Sequence, residues 1–118
     1  MVVEPLLSPI LDDEALTRGL GDPEARILVE WLVDRAEQAA AASGEAGARA
    51  EVTRLCRRGR AISRFVGLYC HEDGRAAAMQ LAGSERFTWP LPTRWTDPCE
   101  LMHSILQWEG GNHGTCPH

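Results

Sequence analysis

The chain contains no lysine: all twelve basic residues among its 118 are arginine. With abundant alanine alongside, this bias points to a GC-rich, bacterial coding sequence and carries no chemistry of its own. No apolar run approaches the roughly 18 to 20 residues that cross a bilayer, which excludes a helical membrane span. The opening stretch MVVEPLLSPILDDEA is acidic where a secretory signal has a positive segment, so the expected location is the cytoplasm. Cysteine is limited to Cys56, Cys70, Cys99 and Cys116, and in a cytosolic chain of this size free thiols or metal ligands are expected rather than bridges. No segment alternates with period two long enough for a strand, and no repeat of 20 to 50 residues is visible. A Gly-rich phosphate loop, a paired-carboxylate motif and a recognisable oxyanion site are all missing, which moves weight from catalysis towards binding.

What is present suffices for one core. The hydrophobic fraction is 44% and the charged fraction 25%, an ordinary globular balance, and a chain of this length buries roughly two thirds of its unfolded surface. The net charge of −5 is unevenly spread. Residues 1–48 carry ten acids against three arginines, whereas residues 49–64 carry Arg49, Arg54, Arg57, Arg58, Arg60 and Arg64 against Glu51 alone. One basic element therefore stands between two acidic ones.

Cap chemistry and apolar spacing predict an all-α chain, a small irregular bundle of about five helices. Ser8-Pro9 reads as a start for a helix over about 9–19, with Leu11, Ala15, Leu16 and Leu20 near helical spacing. Asp22-Pro23 repeats that signal before Ile27, Leu28, Trp31, Leu32 and Ala39, predicting a helix over about 23–42 with Asp34 and Glu37 on its exposed side. Two glycines in Ser43–Gly47 predict a turn. Over about 48–70, Val52, Leu55, Ile62, Phe65, Val66 and Tyr69 share one face and Arg57, Arg60 and Arg64 the other, with Gly59 the place for any kink. A short helix over 75–82 follows. Phe87 to Trp95 contains two prolines and is expected to be extended, a Pro/Trp-rich loop over about 87–96. Asp97-Pro98-Cys99-Glu100 then combines an N-cap acid, Pro at the first helical position and Glu at the third, opening a last helix to about 109. The expected domain is 1–109, followed by a flexible tail, 110–118.

Three readings of function follow. The first is a non-enzymatic protein-binding module or accessory subunit, working with a protein partner or by self-association. It uses Phe87, Trp89, Leu91 and Trp95 as aromatic and apolar anchors and Arg57, Arg60 and Arg64 as a charged face, because Trp and Arg dominate interface energetics and a proline-stiffened loop loses little entropy on docking. Trp31 and Trp108 are assigned to the core. The second is a zinc module. Cys99 and His103 lie four apart on a helix while His113 and Cys116 form a C-terminal hook, C-x3-H-x9-H-x2-C in all, and zinc takes four such borderline ligands in a tetrahedron. In this reading Arg57, Arg58, Arg60 and Arg64 follow a nucleic-acid backbone. The third is a thiol enzyme in which Cys99, in the first turn of a helix with His103 one turn on, has its pKa lowered by the helix dipole.

Overall fold

Pro23, one residue inside its helix, supplies a preset helical φ and no N–H to leave unsatisfied, and from there the longest helical span of the protein runs. The computed structural model describes residues 4–84 and 97–111. Four α-helices occur among them, α1 (Glu4–Leu11), α2 (Asp22–Tyr69), α3 (Arg75–Ser84) and α4 (Pro98–Gly111), with 3-10 turns at Glu14–Leu16 and Glu72–Gly74. No strand is present among the described residues. The expected extended stretch over 87–96 lies outside them, as do residues 112–118 of the expected tail.

Within the span of α2 the backbone leaves the helical region at Gly44 (φ 71°, ψ −171°), a conformation open essentially to glycine alone. The turn expected over Ser43–Gly47 is thus a break of one residue. It separates a first arm, 22–43, from a second, 45–69, and the arms fold back on each other. Ala40 and Ala48 are buried together near the break, and Leu32 lies against Gly59 farther along. Gly59 does not kink the helix. It is buried, and a Cβ built there would stand 2.9 Å from both Leu32 Cδ1 and Leu16 Cδ2, closer than carbon atoms approach. Glycine at this position lets a leucine from the first arm and a leucine from the 3-10 turn meet over the second arm.

The helices α1, α3 and α4 all pack on α2. Leu28, Leu32 and Ala36 of the first arm and Leu55, Ile62, Phe65, Val66 and Tyr69 of the second form the spine of one core, with Phe65 and Tyr69 stacked at 5.7 Å. Leu101, Met102, Ile105 and Leu106 close it from α4 and Ala78 and Ala82 from α3. Trp31 and Trp108, expected inside, are half-buried at its margin, where the Arg35 guanidinium lies 5.4 Å from the Trp31 ring. Such large side chains are seldom fully covered in a small domain.

Two helix starts differ in detail from expectation. The first helix ends at Leu11 rather than beginning at Pro9, so Pro9 is internal and the register shifts by one: Ile10 is 1% exposed and Leu11 59%. The cause is Asp13, whose side chain accepts the Ala15 N–H and starts the 3-10 turn that drives Leu16 into the core. At α2 the N-cap is Gly21 rather than Asp22, and its N–H donates to Glu24 Oε1 at 3.0 Å. The start of α4 is as expected, with Asp97 Oδ2 accepting the Cys99 and Glu100 N–H groups.

The two α2 glycines separate steric from conformational cost. Gly59→Val overpacks Leu16 and Leu32 and is expected to lower stability by about 1–3 kcal/mol in urea denaturation. At Gly44 nothing lies within 4 Å of a built Cβ, so Gly44→Ala has no clash. It is nonetheless expected to lose at least about 1 kcal/mol, from backbone strain alone.

Candidate functional site

Between the 3-10 turn and the second arm of α2 lies a cleft of about 520 Å³, lined by Ala15, Arg18, Gly19, Arg60, Arg64, Gly67, Leu68 and His71. Helical spacing puts Arg60, Arg64, Gly67 and Leu68 along one side of the second arm, and His71 follows past its end, just before the 3-10 turn Glu72–Gly74. Arg18 arrives from the opposite wall. Its backbone is held by the buried Ser63, whose hydroxyl donates to the Arg18 carbonyl at 3.1 Å. The turn then doubles over the helix at Gly19 (φ 86°) and lies so close that a Cβ on Gly67 would stand 3.2 Å from the Gly19 carbonyl oxygen. A small hydroxyl and two glycines therefore set the wall that carries Arg18.

The charges in the cleft are only partly matched. Asp13, whose Oδ1 caps the 3-10 turn, uses Oδ2 to bind the Arg60 guanidinium. Among the described residues no ion pair involves Arg18, Arg57 or Arg64. His71 is exposed and makes no side-chain cap to the 3-10 turn that follows it.

Of the three arginines assigned from sequence to a binding face, Arg60 and Arg64 line the cleft and Arg57 is exposed outside it. Arg58 serves packing: it bridges to Glu109 of α4, whose side chain is only 6% exposed, and so ties α4 to the second arm. Arg49 and Arg54 pair within α2, with Glu45 and Glu51. Sequence reasoning missed Arg18 and His71. Arg18 sits in a segment read as helix, and nothing in its local pattern pairs it with residues 42 to 53 positions away. Phe87, Trp89, Leu91 and Trp95 lie outside the described residues.

The zinc residues are split in the same way. Cys99 is half-buried in the first turn of α4 and His103 is exposed one turn on, while His113 and Cys116 lie outside the described residues. No group of three or more His, Cys, Asp and Glu arranged for a metal ion occurs among the described residues.

Cys99 differs from the activated thiol that its helix position suggests. Its Sγ donates to Glu24 Oε2 at 3.3 Å, so Glu24 uses one oxygen for the Gly21 N–H and the other for the thiol. That hydrogen bond, with desolvation and the charges of Glu24 and Asp97, pushes the Cys99 pKa up. Burial and Glu24 do the same for Cys70, and burial for Cys56. The adjacent carboxylate favours the protonated thiol, opposite in direction to the activation that a helix N-terminus by itself would give.

Glu24→Gln keeps an oxygen for the Gly21 cap and removes the charge. It is expected to move the iodoacetamide alkylation profile of Cys99 to lower pH, as followed by peptide mass spectrometry; an unmoved profile contradicts the role given to Glu24. The raised thiols also set a stability trend. Each binds its proton more tightly in the folded chain, so their contribution is complete below the ordinary thiol value of about 8.5 and is lost as pH rises above it. Melting temperature should accordingly decline on that alkaline side, and less so in Cys70→Ser. No protein-family model matches the chain, and no curated protein or solved structure shows significant similarity to it.

Proposed function

We propose that this protein is a non-enzymatic binding module that engages an acidic protein partner through the arginine cleft, with Phe87, Trp89, Leu91 and Trp95 as its apolar anchors. The observation that carries this reading is the convergence of Arg18, Arg60, Arg64 and His71 on one concavity, with Asp13 the carboxylate that pairs there. Cations gathered around one cleft repel each other, and a partner's carboxylates relieve that repulsion. The surrounding acidic surface sharpens the effect. The first arm exposes Glu30, Asp34 and Glu37, which repel a polyanion elsewhere on the protein and leave the cleft as the attractive region.

The raised thiol pKa values and the lack of a paired-carboxylate motif in the sequence fit binding better than turnover. Charge of this kind acts mainly on association rate and orientation, and the anchors supply affinity.

The test is fluorescence anisotropy with a labelled twenty-residue Glu-rich peptide. Wild-type protein is expected to bind it, and to bind more weakly at 300 mM salt than at 50 mM. The double change Arg18→Glu/Arg64→Glu should weaken binding at least tenfold, about 1.4 kcal/mol, with the melting temperature unchanged because both side chains are exposed and neither forms an ion pair among the described residues. Equal binding by wild type and double variant would sink the proposal.

A further inference from the structure

The cleft carries more positive charge than a carboxylate needs. One guanidinium fork satisfies one carboxylate, and the cleft already shows that match, since Asp13 binds Arg60 alone. Arg18 and Arg64 form no ion pair among the described residues, and His71 lies seven residues beyond Arg64 along the same cleft. Two arginines that line one cleft without an ion pair among the described residues suit a group with more than one negative charge and more than two acceptor oxygens. A phosphomonoester has about −1.5 to −2 charge near neutral pH and three terminal oxygens.

The remaining walls describe the rest of the ligand. Gly19 and Gly67 lie against each other, the Gly19 carbonyl taking the place of a Gly67 side chain, so that this stretch of the cleft wall is bare backbone. Ala15 and Leu68 are half-buried and offer an apolar surface at the edge of the same space. A volume of about 520 Å³ accommodates a head group together with a ring or short chain. The anchoring of Arg18 by Ser63 means that its backbone is already placed before any ligand arrives, so the ordering left for binding is that of the exposed side chain.

We infer that the cleft between the 3-10 turn and the second arm of α2 is a phosphomonoester site, with Arg18 and Arg64 as the clamp and Ala15 and Leu68 against the organic body. The inference rests on the reading of this cleft as the recognition surface and names the chemical group that it selects.

Isothermal titration of the full chain with phenyl phosphate and with benzoate compares the two head groups on one apolar body. Phenyl phosphate should bind at least tenfold more tightly than benzoate. Arg18→Ala and Arg64→Ala should each weaken it at least fivefold without a change in melting temperature, Arg64→Lys should recover only part of the loss because the fork is gone, and Arg26→Ala, remote from the cleft, should leave it unchanged. A phosphoserine peptide that binds more tightly than phenyl phosphate supports a protein-borne group, and one that binds no better supports a free small molecule. Benzoate binding as tightly as phenyl phosphate overturns the inference while leaving the acidic-partner reading in place. Phenyl phosphate binding that survives both alanine changes overturns it as well. Arginine-dependent phenyl phosphate binding without any binding of the Glu-rich peptide upholds the phosphomonoester site and removes the acidic-partner reading alone.

Discussion

The contact of Leu16 and Leu32 over Gly59 holds the two arms of α2 and the 3-10 turn at the separation on which the remaining packing depends. All three residues are buried, and the glycine lets two leucine side chains occupy the space that a Cβ would take. Interiors are packed tightly enough that such a displacement is transmitted to neighbours rather than absorbed. The turn that carries Leu16 also carries Asp13 and leads into Arg18, so the same contact that closes the core determines how close the second wall of the cleft lies to the first. Gly44 is the complementary requirement: it reverses the chain in one residue, without which the arms could not oppose each other.

Two carboxylates bind this frame together by doing two things at once. Asp13 caps the 3-10 turn with one oxygen and holds Arg60 with the other. Glu24 accepts the Gly21 N–H at the start of α2 with one oxygen and the Cys99 thiol at the start of α4 with the other. In each case a local capping interaction, of the sort that makes a helix begin, is extended to an element far away in the chain. The chemical consequence for Cys99 is a raised thiol pKa, and for Arg60 a guanidinium already committed within the cleft. The pair between Arg58 and the buried Glu109 is a third such tie, and it commits Arg58 to packing α4 on the second arm.

The cleft is a by-product of how the turn rides on the helix. Ser63 and Gly67 sit one turn apart on the second arm, and their small size is what allows the backbone of Arg18 and Gly19 to lie on it. A cation delivered from that turn shares the cleft with two cations of the helix, an arrangement unfavourable by itself and acceptable at a surface where solvent screens it. The stored repulsion is small in water and is relieved on meeting an anion, which is why this concavity and not the exposed ion pairs of Arg49 or Arg54 is the place to look for recognition.

Local signals determined the helical class, the start of α4 at Asp97-Pro98, the break near Gly44 and the exposure of Asp34 and Glu37. Each of these depends on residues within about one or two turns of each other, and capping, glycine strain and apolar periodicity act over that range. The register of α1, with Ile10 inward and Leu11 outward, was decided by Asp13 starting a second turn in competition with Pro9. The purpose of Gly59, the pairing of Arg58 with Glu109, the raised pKa of Cys99 and the placing of Arg18 and Arg64 on one cleft were decided only by tertiary structure. They join positions 27 to 75 residues apart, and no periodicity within a helix records which surface of another element will lie against it.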